Sequence, residues 1–173
     1  MPELRIKDLF ARRSIRQFTD RIVDPSQIDL LLKAAMAAPS AGDRKPWHFV
    51  VVSDPVLRRA LTEAHPHAKM AMQAPLCIVP CGIPAESIPG RNEYWVQDLA
   101  AATENILLAA TGIGLGAVWC GVYPIQERIE ALRRILSIPE EAVPFAIVPI
   151  GHPAEEKPPR TQYDSTRVHE NIW

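Results

Sequence analysis

WVQDLAAATENILLAA, residues 95–110, is the stretch that decides the fold. Its apolar residues occupy nearly every face of a helix, and a helix that is apolar all round is enclosed on all sides. The chain has only 173 residues, and small domains have little core relative to their surface. We therefore predict a central helix that is covered partly by its own domain and partly by a second copy, most simply in a two-fold homodimer.

Helix and strand signals alternate on both sides of this helix. Asp24-Pro25-Ser26-Gln27 starts a capped helix that ends before Pro39, and Asp54-Pro55 starts another. The pattern predicts about four strands and five helices, in the order α, α, β, α, β, α, β, α, β. This is an α+β fold, a single domain over 1–173 with a mixed central sheet wrapped by helices. The predicted strands are WHFVVVSD (47–54), APLCIVPCG (74–82), AVWCGV (117–122) and PFAIVPIGHP (144–153).

Two segments have no strong periodicity. IPAESIPGRNE, residues 83–93, reads as a loop or lid, with Arg91, Tyr94 and Trp95 as expected contacts. The tail, residues 154–173, is polar but carries Tyr163 and ends in Trp173. A disordered tail has little use for aromatic residues, so we expect this one to pack on the partner subunit.

Charge and cysteine content exclude several classes of protein. The chain carries 19 basic and 20 acidic residues, a net charge of −1, so no overall field favours nucleic acid or a membrane surface. No apolar run approaches the roughly 20 residues that span a bilayer. Three cysteines, and a start without an apolar signal segment, predict free thiols in a reducing compartment and a cytoplasmic location.

ARRSIRQF, residues 11–18, concentrates positive charge within this nearly neutral chain. Guanidinium forks beside a hydroxyl suit a phosphate dianion; a solvated basic turn is the alternative. In APSAGDRKPWHFVVV, residues 38–52, the small residues allow backbone to approach a planar ligand, although an ordinary helix-to-strand connection would look similar. GIGLG, residues 112–116, follows a helix and lacks the last glycine of a dinucleotide fingerprint.

No side chain suggests catalysis by itself. Cys77 and Cys81 lie four apart in a predicted strand, roughly 13 Å, which is too far for a disulfide and awkward for one metal. His65 and His67 read as structural residues, and Cys120 has no base nearby to activate its thiol. We therefore expect no metal site and no catalytic side chain, but a bound cofactor that performs the chemistry.

Four segments in register resemble the nitroreductase family of FMN-dependent flavoproteins: RRSIRQF (12–18), APSAGDRKPWHFVVV (38–52), DLAAATENILLAATGIGLGAVWCGVYP (98–124) and PIGHPAEEKPPR (149–160). The resemblance covers almost the entire chain. It implies an intertwined homodimer with FMN at the subunit interface. It also implies ping-pong reduction of nitroaromatic, quinone or similar acceptors, with hydride from NADH or NADPH passing through flavin N5.

The resemblance also implies which residues hold FMN. Arg12, Ser14 and Arg160 would bind the phosphate, while Arg13 and Arg16 line the ribityl chain and pyrimidine edge. The remaining implied contacts are Pro39, Ser40 and Ala41 from the partner subunit, the backbone of Trp119, Cys120 and Gly121 beside N5, and Lys69 near N1 and the C2 carbonyl.

One departure concerns the loop before the first predicted strand, where the family commonly has Asn-x-Gln-Pro-Trp. Here Asp43 replaces the asparagine, and an ionised aspartate accepts but does not donate hydrogen bonds. Lys45 is placed to offset that charge. Two alternatives to the reductase stay open: a flavin-binding or sensing dimer without turnover, and a flavin-fragmenting or dehalogenating relative of the same fold.

Overall fold

The computed structural model describes residues 6–173 and contains the predicted order of elements. The helices are α1 (Ile6–Ala11), α2 (Pro25–Met36), α3 (Pro55–Ala64), α4 (Trp95–Gly112) and α5 (Gln126–Leu136). The strands are β1 (Trp47–Val52), β2 (Leu76–Gly82), β3 (Gly116–Ala117), β4 (Cys120–Gly121), β5 (Val143–Pro144) and β6 (Ala146–Gly151). Among the described residues, no helix combines the length and apolar character needed to span a bilayer.

The strands form one sheet in the order β1-β2-β6-β3, with β4 paired to β6 and β5 to β2. All of these pairs are antiparallel. The parallel component is a single bridge between Ser14 and Ala117. Every residue of β2 and β6 is buried, because both strands are apolar throughout and lie inside the sheet between two helical layers.

Each face of the sheet is covered by helices. Leu76 and Ile78 of β2 pack with α2 and α4, whereas Cys77 and Val79 point to the opposite face, which α3 and α5 cover. This alternation follows from the two-residue period of a strand. Helix α4 is therefore central, as predicted, but only one side of it is fully buried within the protomer. Leu108 on its other side stays half-exposed.

The predicted helix starts are confirmed by their caps. Asp54 Oδ1 accepts hydrogen bonds from the backbone N–H groups of Val56 (2.8 Å) and Leu57 (3.0 Å) at the start of α3. At the start of α2, the Gln27 side chain accepts a hydrogen bond of 3.1 Å from the Asp24 N–H. Both caps satisfy backbone groups that the helix itself cannot pair.

The prediction of one continuous strand over 117–122 is wrong. β3 and β4 are two short strands, and Val118 and Trp119 between them belong to neither. The partner strand explains the break, because Pro149 of β6 has no N–H to donate to the ladder. Residues 119 and 121 next to the break are partly exposed, whereas Cys120 is buried.

Candidate functional site

The arginine-rich segment runs alongside β3. After α1 ends, Ile15 N–H donates a hydrogen bond of 3.0 Å to the Ala117 carbonyl, which fixes the segment as an extended strip. Ile15 is buried, so Ser14 and Arg16 face the other way. Gly116 makes this approach possible, since a Cβ at that position would lie 2.7 Å from Ile15 Cγ2.

Residues after β6 fasten the same strip from the other side. The Glu155 carboxylate accepts hydrogen bonds from the backbone N–H groups of Arg16 (2.6 Å) and Gln17 (3.3 Å). Lys157 Nζ donates to the Ser14 carbonyl at 2.7 Å and pairs with Glu155 at 3.0 Å. The hydrogen bond from Arg16 N–H, followed by that from Lys157, lowers the pKa of Glu155, so this carboxylate stays ionised.

The arginine-rich segment and the residues after β6 enclose a cleft of about 710 Å³, here called the basic cleft. Arg12 is held toward α4 by Glu104, with 3.3 Å between Arg12 Nε and Glu104 Oε1, and burial raises the pKa of Glu104 although Arg12 opposes the shift. Arg13 donates to the Pro158 carbonyl. The cleft is lined by Leu9, Phe10, Arg12, Arg13, Ser14, Arg16, Lys157, Arg160, Thr161, Gln162 and Tyr163. Five cationic side chains beside the Ser14 hydroxyl form a donor set suited to a phosphate dianion.

A second cleft, of about 780 Å³, adjoins the first and is here called the strand cleft. Arg16 lines both clefts. The strand cleft is lined by Arg16, His65, Pro66, His67, Lys69, Met70, Val118, Trp119, Cys120, Gly121, Tyr123, Ile125 and Arg128. The residues between the two short strands thus form one wall, and Lys69 lies on the same cleft. An elongated ligand with an anionic end could extend from one cleft into the other past Arg16.

Two side chains donate hydrogen bonds to the Gly121 carbonyl. His67 N–H donates to His65 Nδ1 (3.1 Å), which places the proton of the neutral imidazole on Nε2. That Nε2–H donates to the Gly121 carbonyl at 2.7 Å, and Arg128 Nη1 donates to the same carbonyl at 2.8 Å. Burial lowers the pKa of His65, and the nearby Arg128 charge lowers it further. His65 therefore acts as a neutral structural donor, as the sequence predicted.

Cys120 lies on the strand cleft as a protonated thiol. Burial raises its pKa to about 11, and its Sγ atom contacts the His67 carbonyl at 3.6 Å and Met70 Sδ at 3.9 Å. A nucleophilic cysteine needs a thiolate. The geometry therefore agrees with the prediction that this residue is not a nucleophile.

The loop between α2 and β1 lies apart from both clefts. None of the four site residues predicted there, Pro39, Ser40, Ala41 and Asp43, lines either one. The loop is nevertheless well fixed: buried Asp98 of α4 accepts a hydrogen bond from Ala41 N–H at 2.9 Å, and Ser40 Oγ accepts one from Lys45 N–H at 3.0 Å. Lys45 Nζ also lies 2.8 Å from Asp43 Oδ2. The charge of Asp43 is thus offset within the loop, as expected.

Of the three residues predicted as ligand contacts of the lid, one is wrong. Residues 83–94 contain two single turns of 3-10 helix, Pro84–Glu86 and Asn92–Tyr94, and Arg91 and Tyr94 are exposed. Trp95 is only 4% exposed. It packs over Gly82, where a Cβ would lie 2.3 Å from Trp95 Cε3, and against Phe145. Trp95 is a core residue and is not available to a ligand in the protomer.

Nine of the thirteen predicted site residues line the two joined clefts. The sequence prediction missed Lys157 and Arg128. Lys157 lies in the segment 149–160 that was already singled out, so its charge was a usable signal. Arg128 lies in an amphipathic helix with other arginines, and only the tertiary structure separates it from them.

The family model described as the Nitroreductase family matches residues 9–75 and 63–152. A Methanothermobacter thermautotrophicus protein named "Putative NADH dehydrogenase/NAD(P)H nitroreductase" is 47% identical over 163 residues, which cover 94% of this chain and 84% of the relative.

Two solved structures share the fold. An FMN-dependent nitroreductase from Clostridium difficile R20291 is 30% identical, with a TM-score of 0.90 and coverage of 98% of this chain and 100% of that one. A Desulfovibrio desulfuricans protein solved in complex with FMN is 26% identical, with a TM-score of 0.80 and 96% coverage of both chains. The family match over most of its length and the 47% identical relative establish that this chain belongs to the nitroreductase family.

Proposed function

We propose that this protein is an FMN-dependent oxidoreductase that uses NADH or NADPH to reduce nitroaromatic, quinone or similar acceptors. The observation that carries the proposal is the meeting of the two clefts at Arg16, with a phosphate-type donor set on one side and residues 119–121 lining the other. The family relatives whose names specify FMN and NAD(P)H-dependent reduction support it.

The cationic side chains of the two clefts suit both the phosphate end and the ring end of FMN. In the basic cleft, Arg12, Ser14 and Arg160 would hold the phosphate together with Lys157, which the Ser14 carbonyl and Glu155 already orient. Arg13 and Arg16 would contact the ribityl chain and the pyrimidine edge. Because this segment is fixed by β3 and by Glu155 before any ligand arrives, little ordering entropy is lost on binding.

In the strand cleft, the backbone of residues 119–121 would lie beside N5, and Lys69 near N1 and the C2 carbonyl. FMN, when bound, supplies the hydride-accepting and hydride-donating chemistry. The chain's own contribution is to orient the ring and to place Arg16 and Lys69 where positive charge favours electron acceptance. Alternate use of one open face by nicotinamide and acceptor predicts ping-pong kinetics.

The functional unit we propose is a homodimer. Pro39, Ser40, Ala41 and Asp43 line neither cleft of their own protomer, as a site shared by two subunits requires. The protomer also exposes apolar surface on several elements, including Phe10, Met36, Tyr163 and Trp173. A second copy would cover this surface and the half-exposed side of α4, with the tail 154–173 packing on the partner.

The test is direct. Purified protein should be yellow from bound FMN, bleach under anaerobic NADH or NADPH, and recover its colour when menadione is added. Initial rates with both substrates varied should give parallel double-reciprocal lines. Yellow protein that never bleaches would favour a sensing dimer, and bleached protein that removes halogen from an aromatic ring would favour a dehalogenating relative. Colourless protein that cannot be loaded with FMN would contradict all three functions: the reductase, the sensing dimer and the dehalogenating relative.

A further inference from the structure

The strand cleft is more basic than its proposed role requires. Its lining contains the cations Arg16, Lys69 and Arg128, and none of the described residues that line it is an aspartate or glutamate. His65 is held neutral by its hydrogen bonds and burial. In the proposed complex Arg16 and Lys69 serve the cofactor, which leaves the charge of Arg128 without an assigned partner.

Arg128 is held rigidly but is not neutralised. Its hydrogen bond to a described residue starts at Nη1, which donates to the Gly121 carbonyl at 2.8 Å; His65 Nε2, which carries its own proton, lies 3.1 Å from the same nitrogen and does not accept from it. None of the ion pairs between residues of the described part of the chain includes it. A guanidinium group has five N–H donors, so Nε and Nη2 can still reach a ligand.

A neighbouring residue on the same helix shows the difference. Arg133 also donates to backbone carbonyls, but it uses both Nε and Nη2, which bond to the Glu140 and Ala142 carbonyls. These bonds join the last turns of α5 to the loop that follows it. Arg133 lines neither cleft. Arg128 is anchored through one nitrogen at a cleft wall, which is the arrangement of a preorganised anion receptor.

We propose that Arg128 recognises a carboxylate or phosphate group of the substrate that enters the strand cleft, so that the enzyme favours anionic substrates. This inference rests on the proposed function. The anionic group has two possible sources, the electron acceptor or the phosphates of the nicotinamide donor. Both would be drawn by the same charge, and pairs of substrates with and without the anionic group separate them.

The first test measures binding without turnover. FMN-loaded protein is titrated with benzoate and with benzamide, and binding is followed by the change in flavin absorbance. Wild-type protein should bind benzoate more tightly. In Arg128→Met the preference for benzoate should fall about tenfold or more, the size expected for a lost charge-assisted hydrogen bond. Arg128→Lys, which keeps the charge but loses the fork, should fall in between, and Arg133→Met should keep the wild-type preference.

The second test identifies the source of the anion. The ratio of kcat/KM for 4-nitrobenzoate to that for 4-nitrobenzamide is compared between the variants, as is the ratio for NADH to the phosphate-free donor N-benzyl-1,4-dihydronicotinamide. A fall of about tenfold in the first ratio in Arg128→Met assigns the anion to the acceptor, and a fall in the second assigns it to the donor. Both support the proposal. Unchanged ratios in both series would overturn it.

Two further outcomes keep the test decisive. Should Arg128→Met fail to hold FMN, the benzoate preference of Arg128→Lys decides: a fall supports the proposal, and an unchanged preference overturns it. A wild-type protein that reduces menadione but shows neither a benzoate preference nor, in Arg128→Met, a fall in either kcat/KM ratio overturns this inference alone. A wild-type protein that neither holds FMN nor reduces menadione overturns the proposed function instead.

Discussion

At the scale of single residues, the proposed phosphate site depends on guanidinium groups from the two ends of the chain. Arg12→Ala combined with Arg160→Ala removes two cations from the basic cleft. Each charge-assisted hydrogen bond contributes about 1.5–3 kcal/mol, so we expect the dissociation constant of FMN to rise about a hundredfold or more, measured by fluorescence titration. The fold should persist, because neither side chain is buried in the core.

A matched control removes the same amount of charge elsewhere. Arg59 and Arg134 are exposed on α3 and α5, outside both clefts. The double variant Arg59→Ala with Arg134→Ala should retain FMN as wild type does. Equal retention of FMN by both double variants would show that the phosphate is held somewhere else.

His65 should make stability depend on pH. Its pKa in the folded protein is lowered from 6.5, chiefly by burial. Between the two pKa values the unfolded chain binds a proton that the folded protein does not, so stability is complete above about pH 6.5 and falls as the pH drops below it. One such group contributes at most about 1.4 kcal/mol per pH unit.

The measurement is urea unfolding from pH 5 to 8. The difference in unfolding free energy between wild type and His65→Gln should shrink as the pH falls below 6.5. A difference that stays constant or grows on acidification contradicts the neutral, buried assignment of His65.

At the scale of elements, the contact between β3 and the arginine segment links stability to cofactor binding. In Gly116→Ala the new Cβ would meet Ile15 Cγ2 at 2.7 Å. Overpacking of this kind costs about 1–3 kcal/mol. It should also push Ser14 and Arg16 away from the cleft, so we expect both a lower melting temperature and weaker FMN binding.

The clash can be relieved from the other side. In an Ile15→Gly background, which removes Ile15 Cβ (2.8 Å from the new Cβ) as well as Cγ2, Gly116→Ala should cost less than half of what it costs in wild type, measured as a double-mutant cycle of unfolding free energies. Additive effects of the two changes would mean that the segment does not pack on β3 as described.

At the scale of the whole molecule, the tail has two parts: Glu155 and Lys157 fix the arginine segment of the protomer, whereas residues 161–173 form an exposed end. The Arg160 N–H bond to the Phe10 carbonyl (3.2 Å) fastens it to α1, and every residue from 161 to 173 is exposed. Locally it is ordered: Asp164 caps a short turn, and the rings of His169 and Trp173 lie 4.4 Å apart. An ordered arm with exposed aromatic residues is consistent with a surface that a partner covers.

Deletion of residues 161–173 therefore tests the proposed dimer. We expect the full chain to sediment at twice its 19.2 kDa mass. The truncated chain should dissociate at least about tenfold more readily, because an interface stripped of its aromatic anchors loses much of its affinity. Circular dichroism should show an intact protomer. A truncated chain that dimerises as tightly as the full one would show that residues 161–173 do not contribute to the interface.

The amino-acid sequence by itself determined the order of elements, the two capped helix starts, and the concentration of arginines in residues 12–16. These features are local: they follow from hydrophobic periodicity and from side chains that pair with backbone a few residues away. The resemblance in four segments added the family, which the comparisons confirmed.

Only the tertiary structure decided how distant groups meet. The break between β3 and β4 depends on a proline in another strand, and the core position of Trp95 depends on Gly82 opposite it. Arg128 and Arg133 look alike in the sequence, yet one faces a cleft and the other closes a helix end. Such differences arise from contacts between residues far apart in the chain, which periodicity and local pairing do not encode.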